Sequence, residues 1–336
     1  MWGDPPRITV APLAALGYTA LFVGDRGKMS EQAQGTHATA AGAKHGPLMA
    51  IGGAEDRVKE RVILRHFVGL AGGAAARIAI IPTASSIEDA GQRYKAIFLA
   101  LGVASAEVAY VADRAAALDR ATAAPLADTT GIFIGGGNQM RLAAILGGTP
   151  IEAAIHERHA AGAVIAGTSA GASILSRHMV AMGSSGTAPR GRMAQLAAGF
   201  GLLDTAIVDQ HFRQRNRIGR LLTLVALNPA QLGLGVDEDT AAIITADGEM
   251  TVLGRGTVLV VDGQRMTSDS AAQPDGRPLN MTDVTLHTLA NGARYDMRTR
   301  RPLAIPLPPL DEDPIFQAER RALYRAVMVA DTGSET

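Results

Sequence analysis

Ser169 has the sharpest chemical context in the chain. It lies in Ala163-Val-Ile-Ala-Gly-Thr-Ser-Ala-Gly-Ala-Ser-Ile-Leu175, with the local pattern Gly167-x-Ser169-x-Gly171. A buried apolar run precedes it and a helical stretch follows. A nucleophile on a tight strand-to-helix turn needs small neighbours, because the backbone there is crowded and the residue is strained. Such a turn presents Oγ above the sheet, over the free N–H groups of the helix N-terminus. The competing reading is that Ser169 only caps that helix. A serine nucleophile needs a base. Of eight histidines, His211 stands at the end of a β-rich run, in Asp209-Gln-His-Phe-Arg. His156 and His159 read as polar-face residues of a helix, without a His-Glu-x-x-His pattern or a third metal ligand. An orienting carboxylate would fix the imidazole tautomer, and Asp237, Glu238 and Asp239 offer three choices at another strand end.

Gly135-Gly-Gly-Asn-Gln139 lets backbone N–H groups approach a ligand closely. It lacks both a Gly-Lys-Ser/Thr ending and a Gly-x-Gly-x-x-Gly spacing, so nucleotide binding is disfavoured. An oxyanion hole fits better, with one N–H from Gly137 or Asn138 and one from Ala170. Arg213, Arg215, Arg217 and Arg220 follow His211. If a helix starts there, Arg213, Arg217 and Arg220 share a face. They read either as a solvated basic face or as a carboxylate clamp, since guanidinium binds carboxylate bidentately.

These groups need a scaffold that brings strand ends together. From Pro47 onward, short β-rich runs end in Gly, Asp or Thr and precede amphipathic stretches: Leu48–Ile51, Arg77–Ile81, Glu107–Val111, Gly131–Ile134, Ala163–Ala166 and Ala206–Val208, with helices over Glu88–Leu101, Ile151–Ala161 and toward Leu227. That alternation predicts a mostly parallel sheet covered by helices on both faces, with function at the carboxyl ends of the strands. After Leu232 the texture is strand-rich and predicts antiparallel additions. The Pro-rich Arg301–Leu310 reads as a surface strap and Asp313–Met328 as a terminal helix.

The chain has 336 residues, with 32 basic and 32 acidic side chains and no cysteine. Cysteine chemistry is therefore excluded, and the neutral balance supplies no electrostatic reason to expect a nucleic-acid partner. The apolar run Val10–Val23 is too short to span a membrane. Residues 1–46 read as a disordered or variable N-terminal extension and 47–336 as one domain. The expected compartment is the cytoplasm, with export through the extension as the alternative.

The region from Pro47 to the C-terminal strands resembles cyanophycinase, a serine peptidase related to peptidase E. The matching pieces are Ile51-Gly-Gly-Ala-Glu-Asp, Ile81-Pro-Thr-Ala-Ser, Gly135-Gly-Gly-Asn-Gln, Gly167-Thr-Ser-Ala-Gly-Ala, Asp209-Gln-His-Phe with its spaced arginines, and Gly235-Val-Asp-Glu-Asp-Thr-Ala. The resemblance implies an α/β three-layer sandwich of the class I glutamine amidotransferase-like type, usually a homodimer. It makes Ser169 the nucleophile, His211 the base and Glu238 the acid. Gln139, Asp209, Gln210, Arg215, Arg217 and Arg220 become the substrate pocket. The implied reaction is hydrolysis of cyanophycin, a poly-aspartate with arginine on each β-carboxyl, to β-Asp-Arg dipeptides, without metal or cofactor. Within that reading the arginines meet carboxylates or pair with pocket acids, and Asp209, Gln139 and Gln210 meet the substrate guanidinium. An aspartyl or isoaspartyl dipeptidase and a catalytically silent binding protein on the same fold are the alternatives.

Overall fold

A computed structural model describes residues 45–305. The expectations for the extension and for a helix over 313–328 lie outside the described residues, apart from residues 45 and 46.

The apolar runs become strands of a nine-stranded mixed sheet. Its parallel half contains β1 (Leu48–Ile51), β2 (Arg77–Ile81), β3 (Ser105–Val108), β4 (Gly131–Ile134) and β5 (Val164–Thr168), in the order β1-β5-β4-β2-β3. β1 is apolar at all four positions and buried throughout, as a strand covered on both faces must be. Successive side chains point to opposite faces. Met49 and Ile51 pack with α1 (Val62–Leu70) and α2 (Ala90–Ala100), where Phe67, Phe98, Phe133 and Tyr94 form an aromatic cluster. Leu48 and Ala50 face the other way, into a core shared with α4 (Gln139–Leu146), α5 (Pro150–Ala160) and α6 (Ala170–Ile174), beyond the short α3 (Arg114–Leu118).

A hairpin follows, β6 (His178–Gly183) with β7 (Ala194–Ala198), which the sequence reading missed. Then β8 (Ala206–Gln210), α7 (Ile218–Leu227) and β9 (Leu232–Val236) begin a second, four-stranded sheet. β10 (Thr240–Ile244) and β11 (Glu249–Gly254) return to the main sheet, β10 pairing antiparallel with β1. β12 (Val258–Asp262) pairs with β9, and after the small β13 (Thr267–Ser268) and β14 (Met281–Thr282), β15 (Thr285–Leu289) completes the second sheet. β16 (Arg294–Asp296) and β17 (Arg301–Ala304) extend the main sheet at its antiparallel edge. The first residues of the expected surface strap are thus an edge strand. No described helix is long and apolar enough to cross a membrane.

Two corrections bear on the site. The strand-end clusters do not share one sheet: β4 and β5 belong to the main sheet, β8 and β9 to the second. The segment after His211 is not helical until Ile218, so the arginines do not form one helix face. Arg217 stands at the helix start, Arg220 lies in its first turn, and Arg213 is exposed in the preceding turns.

Candidate active site

At the end of β5 the backbone turns sharply into α6. Ser169 has φ of 53° and ψ of −110°, a conformation that costs a non-glycine residue roughly 1–3 kcal/mol. The glycines around it are sterically required. A Cβ on Gly167 would lie 2.0 Å from the Gly171 carbonyl oxygen, and one on Gly171 would lie 2.2 Å from that of Ile134. The Ser169 side chain does not cap the helix. Its Oγ lies 2.9 Å from His211 Nε2.

His211 Nδ1 lies 2.6 Å from Glu238 Oε1. A carboxylate accepts, so Nδ1–H donates to it and Nε2 is left to accept from Ser169. The loops carrying these residues are anchored to the end of β1. The His211 N–H donates to the Gly52 carbonyl at 2.8 Å, and the Asp239 N–H donates to the Gly53 carbonyl at 2.9 Å. Gly53 packs flat against the imidazole, and a Cβ there would sit 2.3 Å from Cε1. The three carboxylates are thereby sorted. Asp237 is buried and accepts from Arg213 N–H, Thr257 N–H and Thr257 O–H. Asp239 accepts from the Asp56 N–H. Only Glu238 faces the imidazole.

His211 is nine-tenths buried, and burial pushes its pKa below the ordinary histidine value. The Glu238 hydrogen bond opposes that shift, while the Arg215 and Arg217 charges add to it.

The glycine loop after β4 lies against the elbow. A Cβ on Gly136 would be 3.2 Å from Ser169 Cβ. Asn138 is corrected as an oxyanion donor: its N–H donates to the Ala84 carbonyl at 2.9 Å, and its side chain caps α4. Among the described residues, the Gly136, Gly137 and Ala170 amides donate to no protein acceptor. Gly137 has φ of 141°, and a Cβ there would meet the Ala84 carbonyl at 2.0 Å. Ala170 is the first residue of α6, whose N–H has no intrahelical partner.

The expected substrate pocket is more self-contained than its residue types suggest. Asp209 is fully buried and accepts from Arg220 Nε at 2.6 Å, from Arg220 Nη2, and from Arg217 Nη1 at 3.5 Å. Gln210 accepts Arg217 Nη1 on its carbonyl at 2.5 Å and on Oε1 at 3.1 Å. The expectation that Asp209 and Gln210 meet a substrate guanidinium is corrected, because protein arginines already occupy them. Gln139 donates Nε2 to the Val180 and Ala181 carbonyls, clamping β6 over the site. Arg220 is committed to Asp209 and to the Gly183 carbonyl. Arg217 keeps a buried Nε with no partner, and burial pushes its pKa down to about 10. Arg215 is exposed nearby.

On the other side of Ser169 a pocket of about 180 Å³ opens between the loops after β1, β2 and β4. Glu55, Arg57, Ser85, Tyr94 and Thr168 line it, and the sequence reading gave none of them a role. The available signal was Glu55 itself, a carboxylate just past a strand end in a run already singled out. His159, read as a surface residue, is buried against the Gly46 carbonyl and the edge of His45. Among the described residues no group of three or more His, Asp or Glu side chains could hold a metal ion.

Known proteins resemble this chain to different depths. The crystal structure of a peptidase from an acI-B1 Actinobacterium superposes with a TM-score of 0.54 at 23% identity, covering 73% of this chain and 98% of that one. At that identity the likeness is one of fold. A cyanophycinase from Synechococcus elongatus is 43% identical over 259 residues, 76% of this chain and 80% of the relative. A cyanophycinase from Geminocystis herdmanii is 41% identical over 260 residues, 76% of this chain and 96% of the relative. The profile of peptidase family S51 matches residues 48–253, the stretch that contains the elbow, the glycine loop, the histidine and the acid. The chain belongs to peptidase family S51.

Proposed function

We propose that the protein is a serine-type exopeptidase that hydrolyses cyanophycin to β-Asp-Arg dipeptides through an acyl-enzyme. The observation that supports this best is the hydrogen-bonded line from Ser169 through His211 to Glu238 at a strained elbow. The substrate follows from relatives at 40–43% identity that are cyanophycinases. In the proposed reaction Ser169 Oγ attacks the scissile main-chain carbonyl and passes its proton to His211 Nε2. The Ala170 N–H, with Gly136 or Gly137, receives the oxyanion. The C–N bond breaks as His211 returns the proton to the leaving amine. Water, deprotonated by His211, then adds to the acyl-enzyme, and Ser169 leaves with the proton. Arg215, exposed beside His211, holds substrate carboxylates, with the buried Arg217 behind it adding positive charge. The working unit of this proposal is residues 47–336, acting in the cytoplasm as a homodimer that binds neither nucleic acid nor membrane. A chain starting at Ala43 should keep full turnover, and its loss would show that the preceding residues serve the site.

Mass analysis of products after incubation with purified cyanophycin is the test. β-Asp-Arg dipeptide is the expected product. Release of aspartate only from short peptides would favour a dipeptidase instead. Failure of a serine-directed reagent to label Ser169 would favour a silent binding protein.

A further inference from the structure

Helix α1 carries apolar side chains on two sides. Ile63, Leu64, Phe67 and Val68 point into the core. Val62, His66, Gly69 and Leu70, with Arg65, line a shallow groove on its outer side. Val62 is 45% exposed, Leu70 39%, and Val58 in the preceding loop 81%. Among the described residues no atom lies within 4 Å of the place a Gly69 Cβ would take, so the groove is open there. A surface helix ordinarily turns charged and polar side chains outward. Single exposed apolar residues need no explanation, but these share one stripe. The surroundings are cationic: Arg57 and Lys59 are exposed just before α1, and Arg65 beside the groove.

We propose that residues 313–328 of the same chain dock on this groove as an amphipathic helix running parallel to α1. Their pattern suits it. With 3.6 residues per turn, Ile315, Phe316, Ala322, Leu323, Ala326 and Val327 fall on one half of such a helix, and Arg320, Arg321, Tyr324 and Arg325 on the other. A helix of that length is marginal alone in water and needs a surface for its apolar half. The chain also arrives in the right place. Four antiparallel pairings separate β1 from β17, so the two strands run the same way. The chain therefore leaves β17 at the end of the sheet where β1 gives way to α1. Helix α1 touches β11, two strands in from β17, about 10 Å at the usual strand spacing. The seven residues 306–312, three of them proline, reach roughly 20 Å when extended. Charge agrees, since Asp311-Glu312-Asp313 would arrive beside Arg57, Lys59 and Arg65. Setting Ile315 on Val62 then fixes the register. Ala322 falls on Gly69, where two small residues allow close approach, and Leu323 falls on Leu70. Glu319, the acid within the apolar half, falls on His66.

The chain has no cysteine, so two introduced thiols report on this seam alone. In the full chain, Gly69→Cys with Ala322→Cys should oxidise to a disulfide within one chain, identified by mass spectrometry as a cross-linked peptide from monomeric protein. Gly69→Cys with Arg321→Cys puts the second thiol on the polar half and should stay reduced. A disulfide between two chains would overturn the proposal in favour of a second copy on the groove. Equal cross-linking of both pairs, or of neither, would overturn it as well. Thermal melts of full-length variants test the same contact without cysteines. Leu70→Lys and Leu323→Glu should each lower the melting temperature by roughly 2–4 °C. The double variant should recover most of that loss, because the two new charges face each other. Losses that add, or no loss from either change, would show that the two side chains do not meet. None of these positions belongs to the Ser169 site, so the outcome is independent of the hydrolytic reading given above.

Discussion

The main sheet delivers Ser169 through a turn shaped by missing side chains, whereas the second sheet delivers His211 and Glu238 through loops tied by hydrogen bonds. At the elbow, Gly167 and Gly171 bring backbone against backbone, closer than any Cβ allows. Their clash partners are carbonyl groups of neighbouring segments, which cannot step aside. On the other side, the loops after β8 and β9 are tied to Gly52 and Gly53, to each other through the Asp237 carboxylate and the Arg213 N–H, and by the His211–Glu238 bond. At Gly52 a new Cβ would again meet a carbonyl, that of Asp237 at 1.9 Å, but at Gly53 it would meet the His211 ring, which can rotate. The first arrangement resists perturbation until it fails as a fold. The second can shift while the fold survives.

The expected effects rank accordingly. Ser169→Ala removes the group that both sides serve. It should fold normally and lower turnover by on the order of 10⁴–10⁶, read by steady-state kinetics and a thermal melt. Near-normal turnover in a folded variant would remove Ser169 from the mechanism. Glu238→Gln comes next, with a kcat loss on the order of 10⁴-fold because the imidazole loses its orienting charge. Asp239→Asn keeps an acceptor for the Asp56 N–H and should cost under about tenfold. A reversal of these two would move the acid to Asp239.

The glycines sharpen the contrast most directly. Gly53→Ala forces the imidazole aside and should lower kcat by about 10²-fold with a modest drop in melting temperature. Gly171→Ala sets a methyl against the Ile134 carbonyl and should destabilise by roughly 2–4 kcal/mol. If Gly53→Ala unfolded the protein while Gly171→Ala left it stable, the division between the two sides would be wrong. The smallest effect concerns pH. A base must be neutral, so a histidine pKa below its ordinary value lets activity persist to lower pH. Removing the Arg215 charge relieves part of that depression. Arg215→Gln should therefore move the acid limb of kcat/KM to higher pH, and a shift to lower pH would refute the assigned direction.

Much of the parallel half was legible because buried strands read as short apolar runs ending in Gly, Pro or Thr, and such runs scarcely depend on their neighbours. β1, β2 and β4 appear where the runs lie. The β6–β7 hairpin was not legible. Its strands are partly exposed and mix polar with apolar positions, so no period stands out. The delayed start of α7 was hidden too, because Gln, Asn and Arg are compatible with both turn and helix. The positive φ of 47° at His211 and 49° at Asn216 marks turns that only the packed chain enforces.

The sequence by itself determined the chemistry on offer. A serine between spaced glycines, a histidine and acids at strand ends, and a triple glycine are local patterns, each tied to a local backbone need. Tertiary structure decided which of those groups meet. Ser169 and His211 are 42 positions apart, and His211 and Glu238 are 27 apart. They become neighbours only where two sheets abut at Gly52 and Gly53. The same packing chose Glu238 over its flanking aspartates, spent Asp209 on Arg217 and Arg220, and buried Glu55 against the Thr168 and Tyr94 hydroxyls. Residue type cannot distinguish these acids, because a carboxylate's role depends on which charges and donors the folded chain brings within hydrogen-bond reach and on how much water it removes from around them.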